Sequence, residues 1–280
     1  MDHYCVLGNP VAHSKSPAIH ARFAELTGEL LDYTRQLAPL DGFAATLQAW
    51  IAGGGRGCNV TVPFKFEAFG LAGTASERAT LAQAANTLKL GDGGQIAADN
   101  TDGIGLVNDI QVNAGISLAG RDILLLGAGG AAAGVLGPLL AAGPRRLVVT
   151  NRTHAKALNL VARHAGHPSL RVLLQKTELL AQEQQGLEAT FDVIVNATAS
   201  SLGDGTVPVH ASVLKPGALA YDMMYGPAAK GFADWARAHG ALPRDGLGML
   251  VEQAAESFAF WRGVRPPSAQ VLQEMREALA

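Results

Sequence analysis

One segment constrains the fold of this chain more than any other: DILLLGAGGAAAG, residues 122–134. A short apolar run with strand character leads directly into glycines, and an alanine-rich segment of helix length follows. Gly127, Gly129 and Ala132 stand in a G-x-G-x-x-A pattern. In a βα unit the first glycine permits a tight turn, the second lets the backbone approach a pyrophosphate, and the third position brings the helix close to the strand. The segment therefore predicts a dinucleotide-binding turn that includes Ala128, Gly130 and Ala131; an ordinary flexible turn is the alternative.

The next strand-like run predicts which dinucleotide binds. It ends at Thr150 and continues as Asn151–Arg152–Thr153, with Lys156 about one helical turn later. A site that prefers NAD normally carries Asp or Glu here, because a carboxylate holds the ribose 2′-hydroxyl. A guanidinium instead pairs with a 2′-phosphate. We therefore predict that NADP(H) is the cofactor, although an arginine at a strand end can also be merely solvated.

Strands and helices alternate along the whole chain, which predicts an α/β fold. Ser16 followed by Pro17 predicts the N-cap and first turn of the first helix. From Asp102 a helix is expected to run to Asn113, and after Gly248 the chain is expected to be helical except around Pro266–Pro267. The predicted strands are His3–Gly8, Leu31–Leu37, Cys58–Val62, a hairpin of Ala85–Leu90 with Gln95–Asp99, Asp122–Leu126, Arg146–Thr150, Asp192–Ala197 and Leu219–Asp222.

The chain's 280 residues favour two domains. Residues 1–101 together with 248–280 are expected to form an α/β substrate domain with a mixed sheet. Residues 102–247 are expected to form a Rossmann-like NADP-binding domain with a parallel sheet. The active site is expected in a cleft between the two domains.

Composition excludes several classes of partner. The net charge of −2 and scattered basic residues argue against nucleic acid or an anionic membrane surface. The uncharged run 123–143 contains six glycines and a proline, which argues against a membrane span. The N-terminus shows no signal-peptide pattern. The two cysteines have neither disulfide-framework nor metal-ligand spacing, which favours a cytoplasmic protein.

Polar residues beside the predicted strand ends of the first hundred residues indicate a second ligand site. They are Ser14 and Ser16 in GNPVAHSKSP, Thr61 and Lys65 in NVTVPFK, Asn86 in AANT, and Asp102 in DNTDGIG. Hydride delivery to a ketone builds negative charge on oxygen, so it requires a proton donor. A lysine ammonium meets that need, and a neighbouring carboxylate can orient it. The alternatives are that Lys65 is a surface lysine and that Asp102 caps a helix.

Together with the glycine turn, NRT and GLGML at 246–250, these motifs resemble the shikimate dehydrogenase family. The resemblance runs in unbroken order from Gly8 to Gln253. It implies an oxidoreductase that interconverts 3-dehydroshikimate and shikimate with NADP, on the route to chorismate and aromatic amino acids. Implied roles are Lys65 and Asp102 for catalysis; Ser14 and Ser16 for the substrate carboxylate; Thr61, Asn86 and Gln253 for ring hydroxyls; Tyr225 as another substrate neighbour; Met223 and Gly246 beside the nicotinamide; and Glu77 near the cofactor.

Some alternatives stay open after this comparison. A paralogue that accepts quinate or NAD would share most of these motifs, and a non-catalytic NADP-binding regulator would be expected to lose Lys65 or Asp102. A homodimer is compatible with the sequence, which does not decide the oligomeric state. Three departures from the common family pattern affect cofactor affinity and loop geometry: alanines at 132 and 133, the segment ATASSLG at 197–203, and Phe66 after the lysine.

Overall fold

The computed structural model describes residues 1–198 and 207–279 of this chain, which divides into two units. The first unit contains Met1–Gly105 and Leu250–Ala280, and the second contains Leu106–Met249. The boundaries therefore fall inside two helices, α5 (Asp102–Asn108) and α9 (Leu247–Arg262).

The first unit is built on a mixed six-stranded sheet in the order β2-β1-β3-β5-β6-β4. The β1–β2, β1–β3 and β4–β6 pairs are parallel, whereas β5 is antiparallel to both β3 and β6. The strands are β1 (Asp2–Gly8), β2 (Leu31–Leu37), β3 (Gly55–Val60), β4 (Thr74–Ala75), β5 (Thr87–Leu90) and β6 (Ile96–Asp99). The helices are α1 (Ser16–Thr27), α2 (Phe43–Ala52), α3 (Lys65–Gly70), α4 (Glu77–Ala82) and, near the C-terminus, α10 (Ser268–Glu277).

The second unit is built on a fully parallel six-stranded sheet in the order β12-β11-β10-β7-β8-β9, which is the predicted Rossmann-like arrangement. Its strands are β7 (Asp122–Leu126), β8 (Arg146–Thr150), β9 (Glu178–Gln182), β10 (Phe191–Asn196), β11 (Leu214–Asp222) and β12 (Leu242–Arg244). The helices between them are α6 (Gly130–Ala141), α7 (His154–Ala165) and α8 (Lys230–Ala238). The predicted α/β fold with one mixed and one parallel sheet is confirmed.

Each sheet buries a face that the apolar runs of the sequence supply. In the first unit, Leu7, Phe43 and Leu88 are fully buried in one core cluster. In the second, Leu124 and Ile194 from neighbouring parallel strands belong to another fully buried group. Parallel strands covered on both faces read as continuous apolar runs, which is why β7 was recognisable in the sequence.

The prediction that Ser16 caps the first helix is wrong. Ser16 is the first residue of α1, and Lys15 occupies the N-cap position with no side-chain cap. Ser14 performs part of that task, because its Oγ accepts a hydrogen bond of 3.3 Å from the Ser16 backbone N–H. The expected helix from Asp102 to Asn113 is present, but its last turn, Asp109–Asn113, is π-helical.

The uncharged run 123–143 comprises most of β7, the glycine turn and the twelve-residue helix α6. In residues 1–198 and 207–279, no helix is both long enough and apolar enough to cross a membrane.

Candidate active site

The predicted substrate residues of the first unit meet at one end of the strands of its sheet. β1 and β3 are parallel, so the loops that follow them leave the sheet side by side. β5 is antiparallel to β3, with Thr87 opposite Asn59, which places Asn86 at the same end of the sheet's strands. β6 returns antiparallel to β5 and ends with Asp99 opposite Thr87. The sheet topology therefore brings together four segments that are far apart in the sequence.

Lys65 and Asp102 form a direct ion pair at this end of the strands. Lys65 begins α3 and Asp102 begins α5, and the Lys65 Nζ lies 2.6 Å from the Asp102 Oδ2. Their side chains are 16% and 7% exposed, so water screens the pair only partly. This contact is inconsistent with the alternative in which Lys65 is a surface lysine. An ammonium group held against a carboxylate beside the strand ends can donate a proton to a substrate oxygen.

Asn86 and Gln253 extend the pair into a buried polar cluster. The Asn86 Nδ2 donates to Asp102 Oδ1 at 2.8 Å and lies 3.1 Å from Gln253 Oε1. The Asn86 Oδ1 accepts the backbone N–H of Thr101 at 2.8 Å. Gln253 lies on α9, and its Nε2 donates to the carbonyl of Leu250 at 2.8 Å. The amide of Asn86 thus joins Asp102 to Gln253, which lies 167 positions after Asn86 in the sequence.

Ser14 and Ser16 lie together at the start of α1. The Ser14 Oγ donates to the Ser16 Oγ at 3.2 Å, and Ser16 is almost fully buried. Arg35 on β2 fixes the loop, since its Nε and Nη2 donate to the Ser14 carbonyl at 3.0 and 2.6 Å. Two hydroxyl groups at the N-terminus of a helix, with a guanidinium beside the loop, form a setting suited to an anion.

Thr61 follows β3 and packs against the end of β1. Its Cγ2 lies where a Cβ at Gly8 would stand, at 2.2 Å, so only glycine at position 8 permits this approach. Its backbone N–H donates to the Leu7 carbonyl at 2.9 Å. Thr61 therefore borders the same loop that carries Ser14.

In the second unit the glycine turn has the geometry that its pattern predicts. Gly127 has a φ of 111°, and a Cβ there would lie 3.0 Å from the Ala197 carbonyl oxygen, so this position requires glycine. Gly129 is exposed, and a Cβ there would meet no atom within 4 Å. It precedes α6, whose first backbone N–H groups lack carbonyl partners within the helix. Ala128, Gly130 and Ala131 complete an open cradle that fits a pyrophosphate.

The residues after β8 carry positive charge and no carboxylate. Asn151 donates its Nδ2 to the Thr153 carbonyl at 3.0 Å, which shapes the turn before α7. Lys156 and Arg152 are both exposed, and Arg152 lies in the turn before α7. Its guanidinium is therefore available for a phosphate group.

Met223 and Gly246 adjoin one another in the second unit. A Cβ at Gly246 would lie 2.2 Å from the Met223 carbonyl oxygen, and the Gly246 N–H donates to the Met224 carbonyl at 2.8 Å. Tyr225 precedes the short 3-10 helix Gly226–Ala229 and is half-buried. Two loops, which follow β11 and β12, thus carry the residues predicted to contact the nicotinamide.

Two of the predictions are not tested by this geometry. Glu77 is an exposed first residue of α4 in the first unit, whereas the glycine turn belongs to the second. Its role near the cofactor stays a prediction. The segment ATASSLG lies outside the described residues from position 199 onward, so its departure from the family pattern is not interpreted structurally.

Several polar residues of the first unit's cluster were not selected from the sequence. Thr101 lies within NTDG and donates its backbone N–H to Asn86, while Ser257 on α9 accepts from the Nδ2 of Asn59 at 3.0 Å. Tyr33 donates its hydroxyl to Asn59 Oδ1 at 2.7 Å. A hydroxyl residue one helical turn after Gln253 was the available signal for Ser257. Tyr33 gave no comparable signal within its strand.

Three family models match successive parts of this chain. Residues 6–88 match the shikimate dehydrogenase substrate binding domain, and residues 110–203 match shikimate / quinate 5-dehydrogenase. Residues 246–279 match the shikimate 5′-dehydrogenase C-terminal domain. The order is the one in which the motifs occur.

Curated and solved relatives agree with these matches. A shikimate dehydrogenase (NADP(+)) of Acidovorax sp. (strain JS42) is 68% identical over 279 residues, covering 100% of this chain and 97% of the relative. The crystal structure of shikimate 5-dehydrogenase from Thermus thermophilus in complex with NADP(H) and shikimate is 31% identical, with a TM-score of 0.85 and full coverage of both chains. An Ael1 enzyme from Pseudomonas putida is 46% identical, with a TM-score of 0.85 and 98% coverage of each chain. This chain belongs to the shikimate dehydrogenase family.

Proposed function

We propose that this chain is an NADP-dependent shikimate dehydrogenase that reversibly reduces 3-dehydroshikimate to shikimate. Reduction by NADPH is the biosynthetic direction, on the route to chorismate and aromatic amino acids. The observation that carries the proposal is the Lys65–Asp102 pair, whose atoms lie 2.6 Å apart within the Asn86–Gln253 cluster. A non-catalytic NADP-binding regulator would have no need for this arrangement.

Lys65 and Asp102 supply the proton chemistry in this proposal. Bound NADPH supplies the hydride that reduces the carbonyl carbon. The Lys65 ammonium stabilises the negative charge that develops on the carbonyl oxygen and then donates a proton to it. Asp102 orients the ammonium through their direct contact. In the oxidative direction the Lys65 amine takes the hydroxyl proton as the hydride leaves carbon.

Several side chains hold the substrate in this proposal. Ser14 and Ser16 donate their hydroxyl groups to its carboxylate, and the N-terminus of α1 adds a favourable partial charge. Thr61, Asn86 and Gln253 are assigned to the ring hydroxyls. Asn86 is suited to this task because its amide already connects Asp102 with Gln253. Tyr225, on the second unit, is assigned as a further substrate neighbour.

The second unit holds the cofactor in this proposal. The pyrophosphate lies on the cradle of residues 127–131, at the N-terminus of α6. Arg152 pairs with the 2′-phosphate, with Asn151, Thr153 and Lys156 around it. Met223 and Gly246 lie beside the nicotinamide, and Glu77 is assigned a position near the cofactor.

Location and assembly follow less directly. We infer a reducing compartment, the cytoplasm, because Cys5 and Cys58 are both buried and unpaired although they are register partners on β1 and β3. A homodimer is compatible with the sequence, and light scattering on the purified chain measures the oligomeric state.

A coupled set of assays tests the proposal. NADP reduction is followed at a fixed enzyme concentration with shikimate, then with quinate, and each is repeated with NAD. The proposal expects the highest kcat/KM with shikimate and NADP. A higher kcat/KM with quinate would favour the quinate-accepting paralogue, and absence of turnover with NADP binding intact would favour the regulator.

A further inference from the structure

A carboxylate that none of the catalytic assignments uses lies buried in the second unit. Asp109, the first residue of the π-helical turn, has no exposed surface. Arg244 binds it in a bidentate manner, with Nε 2.7 Å from Oδ2 and Nη2 2.6 Å from Oδ1. The Tyr221 hydroxyl donates to Oδ2 at 2.8 Å, and the Asn113 Nδ2 donates to Oδ1 at 3.1 Å. Each carboxylate oxygen therefore has two donors.

The partners of Asp109 lie at the ends of two neighbouring strands. Tyr221 on β11 and Arg244 on β12 are register partners in the parallel sheet. Met223 follows β11 within two residues of Tyr221, and Gly246 follows β12 within two residues of Arg244. The single carboxylate thus fixes both strands at the points where the two nicotinamide-side loops leave the sheet.

Asp109 also contacts the start of α9. A Cβ at Gly248 would lie 1.8 Å from the Asp109 Oδ1, so the carboxylate rests against the backbone there and position 248 requires a residue without a side chain. Burial raises the pKa of Tyr221 well above its usual value, so the phenol keeps its proton and remains a donor.

Backbone hydrogen bonds also hold the two loops. The Met223 N–H donates to the Asn196 carbonyl at 3.0 Å, and the Gly246 N–H donates to the Met224 carbonyl at 2.8 Å. These bonds tie one loop to the other and to β10, and Arg244 adds a link from the end of β12 to Asp109. A bidentate guanidinium–carboxylate pair fixes distance and angle together, which a single hydrogen bond does not.

From these contacts we propose that Asp109 is a positioning residue that sets the nicotinamide end of the cofactor site. It acts through Tyr221, Arg244 and the backbone at Gly248 and does not touch a ligand. The proposal rests on the assignment of Met223 and Gly246 to the nicotinamide. A buried ion pair gives little net stability compared with apolar packing of the same volume, which leaves orientation as its main contribution.

Ligand binding to two variants tests the proposal. Asp109→Asn removes the charge, and Tyr221→Phe removes one donor while leaving the Arg244 pair intact. The probes are NADP and adenosine 2′,5′-bisphosphate, which carries the adenine and the 2′-phosphate but no nicotinamide. We expect Asp109→Asn to raise the Kd of NADP by about tenfold, because the displaced loops would lose about one hydrogen bond to the nicotinamide. The Kd of the bisphosphate should stay within about twofold of the unaltered chain, since its partners are expected at Arg152.

A matched control separates positioning from general damage. Asp122 is also buried in the second unit and also has basic partners, Arg145 and Lys215. However, it begins β7, so it lies at the opposite end of the parallel strands from the end where β11 and β12 stop. Asp122→Asn should lower the thermal midpoint of unfolding to a similar extent and leave both Kd values unchanged. In activity assays, Asp109→Asn should lower kcat about tenfold or more and increase the kinetic isotope effect with NADPH deuterated at the transferred position, because misplacement slows hydride transfer itself.

Two results would overturn the proposal. One is a folded Asp109→Asn variant with unchanged Kd, kcat and isotope effect, which would make the pair purely structural. The other is an equal loss of affinity for NADP and for the bisphosphate, which would indicate damage to the whole unit. If Asp109→Asn does not fold, Arg244→Lys, which keeps the positive charge but cannot bind the carboxylate in a bidentate manner, decides by the same criteria. The binding comparison needs no substrate, so failure of the unaltered chain to oxidise shikimate would contradict the proposed function alone.

Discussion

The Nδ2 atom of Asn86 lies 2.8 Å from the Oδ1 atom of Asp102, on the carboxylate whose other oxygen binds Lys65. Asn86→Ala would leave the Asp102 Oδ1 and the Thr101 N–H without the Asn86 side chain as a hydrogen-bond partner. The cost is about 1–3 kcal/mol for each buried group. We expect a lower thermal midpoint of unfolding, a KM for shikimate raised roughly tenfold or more, and an unchanged Kd for NADP. Steady-state kinetics and calorimetry measure these quantities. An unchanged KM would contradict a role for Asn86 in holding the substrate.

The serine pair should discriminate a charged substrate from a neutral one. Ser14→Ala and Ser16→Ala should each weaken shikimate binding by roughly tenfold to a hundredfold, since hydrogen bonds to charged groups contribute about 1.5–3 kcal/mol. The Kd for NADP should barely change. The methyl ester of shikimate, which lacks the negative charge, should bind poorly to the unaltered chain and respond little to either substitution. Equal losses for acid and ester would show that the serines support the loop and do not bind the carboxylate.

Arg152 should determine the choice of cofactor. Replacing it with Asp introduces the carboxylate that suits a ribose 2′-hydroxyl and repels a 2′-phosphate. We expect Arg152→Asp to raise the KM for NADP and to narrow the ratio of kcat/KM between NADP and NAD. Lys176→Asp makes the same charge change at another exposed basic residue of the second unit, and it should leave the ratio unchanged. Equal use of NAD and NADP by the unaltered chain would refute the 2′-phosphate assignment.

A buried histidine should make the free energy of unfolding depend on pH. His20 is fully buried and stacks on Tyr33 at 4.3 Å, and burial lowers its pKa to about 3. In the unfolded chain its pKa is about 6.5, so between these values the unfolded state binds more protons and stability falls as pH decreases. The loss approaches about 1.4 kcal/mol per pH unit in that window. Denaturant unfolding from pH 7 to pH 4 should show a shallower decline for His20→Phe than for the exposed control His13→Phe; equal slopes would exclude His20 as the source.

Local patterns in the sequence predicted the regular elements of both sheets well. The bounds of β2, β7 and β8 are those predicted. β7 and β8 are largely buried apolar runs that end at turn residues, whereas only Tyr33 is buried in β2. The strands that were not predicted, β4, β9 and β12, lie at sheet edges, and β4 has only two residues, both exposed. β4 and β12, of two and three residues, are too short to carry a periodic signal, and β9 has no buried residue. The pairing of such edge strands is decided by neighbours distant in the chain.

The side-chain cluster was predictable only in part, for the same reason. Lys65, Asp102 and Asn86 stood out as polar residues beside predicted strand ends, and the resemblance assigned their roles. Gln253 was selected through the resemblance alone, since no local pattern indicates that it meets Asn86 across 167 positions. The pair of Asp109 with Arg244 spans 135 positions and belongs to no motif, so the sequence offered no signal for it. Contacts of this kind arise from strand order and require the assembled sheet.

The central claim is that Lys65, held by Asp102, donates the proton that completes carbonyl reduction. Its most direct test is the kcat of Lys65→Ala for 3-dehydroshikimate and NADPH, with the folded state checked by thermal unfolding and cofactor binding checked by calorimetry. Loss of a general acid predicts a decrease in kcat of about 10²–10⁴-fold, with a much smaller change in KM and an unchanged Kd for NADP. A folded Lys65→Ala variant with nearly normal kcat would contradict the account.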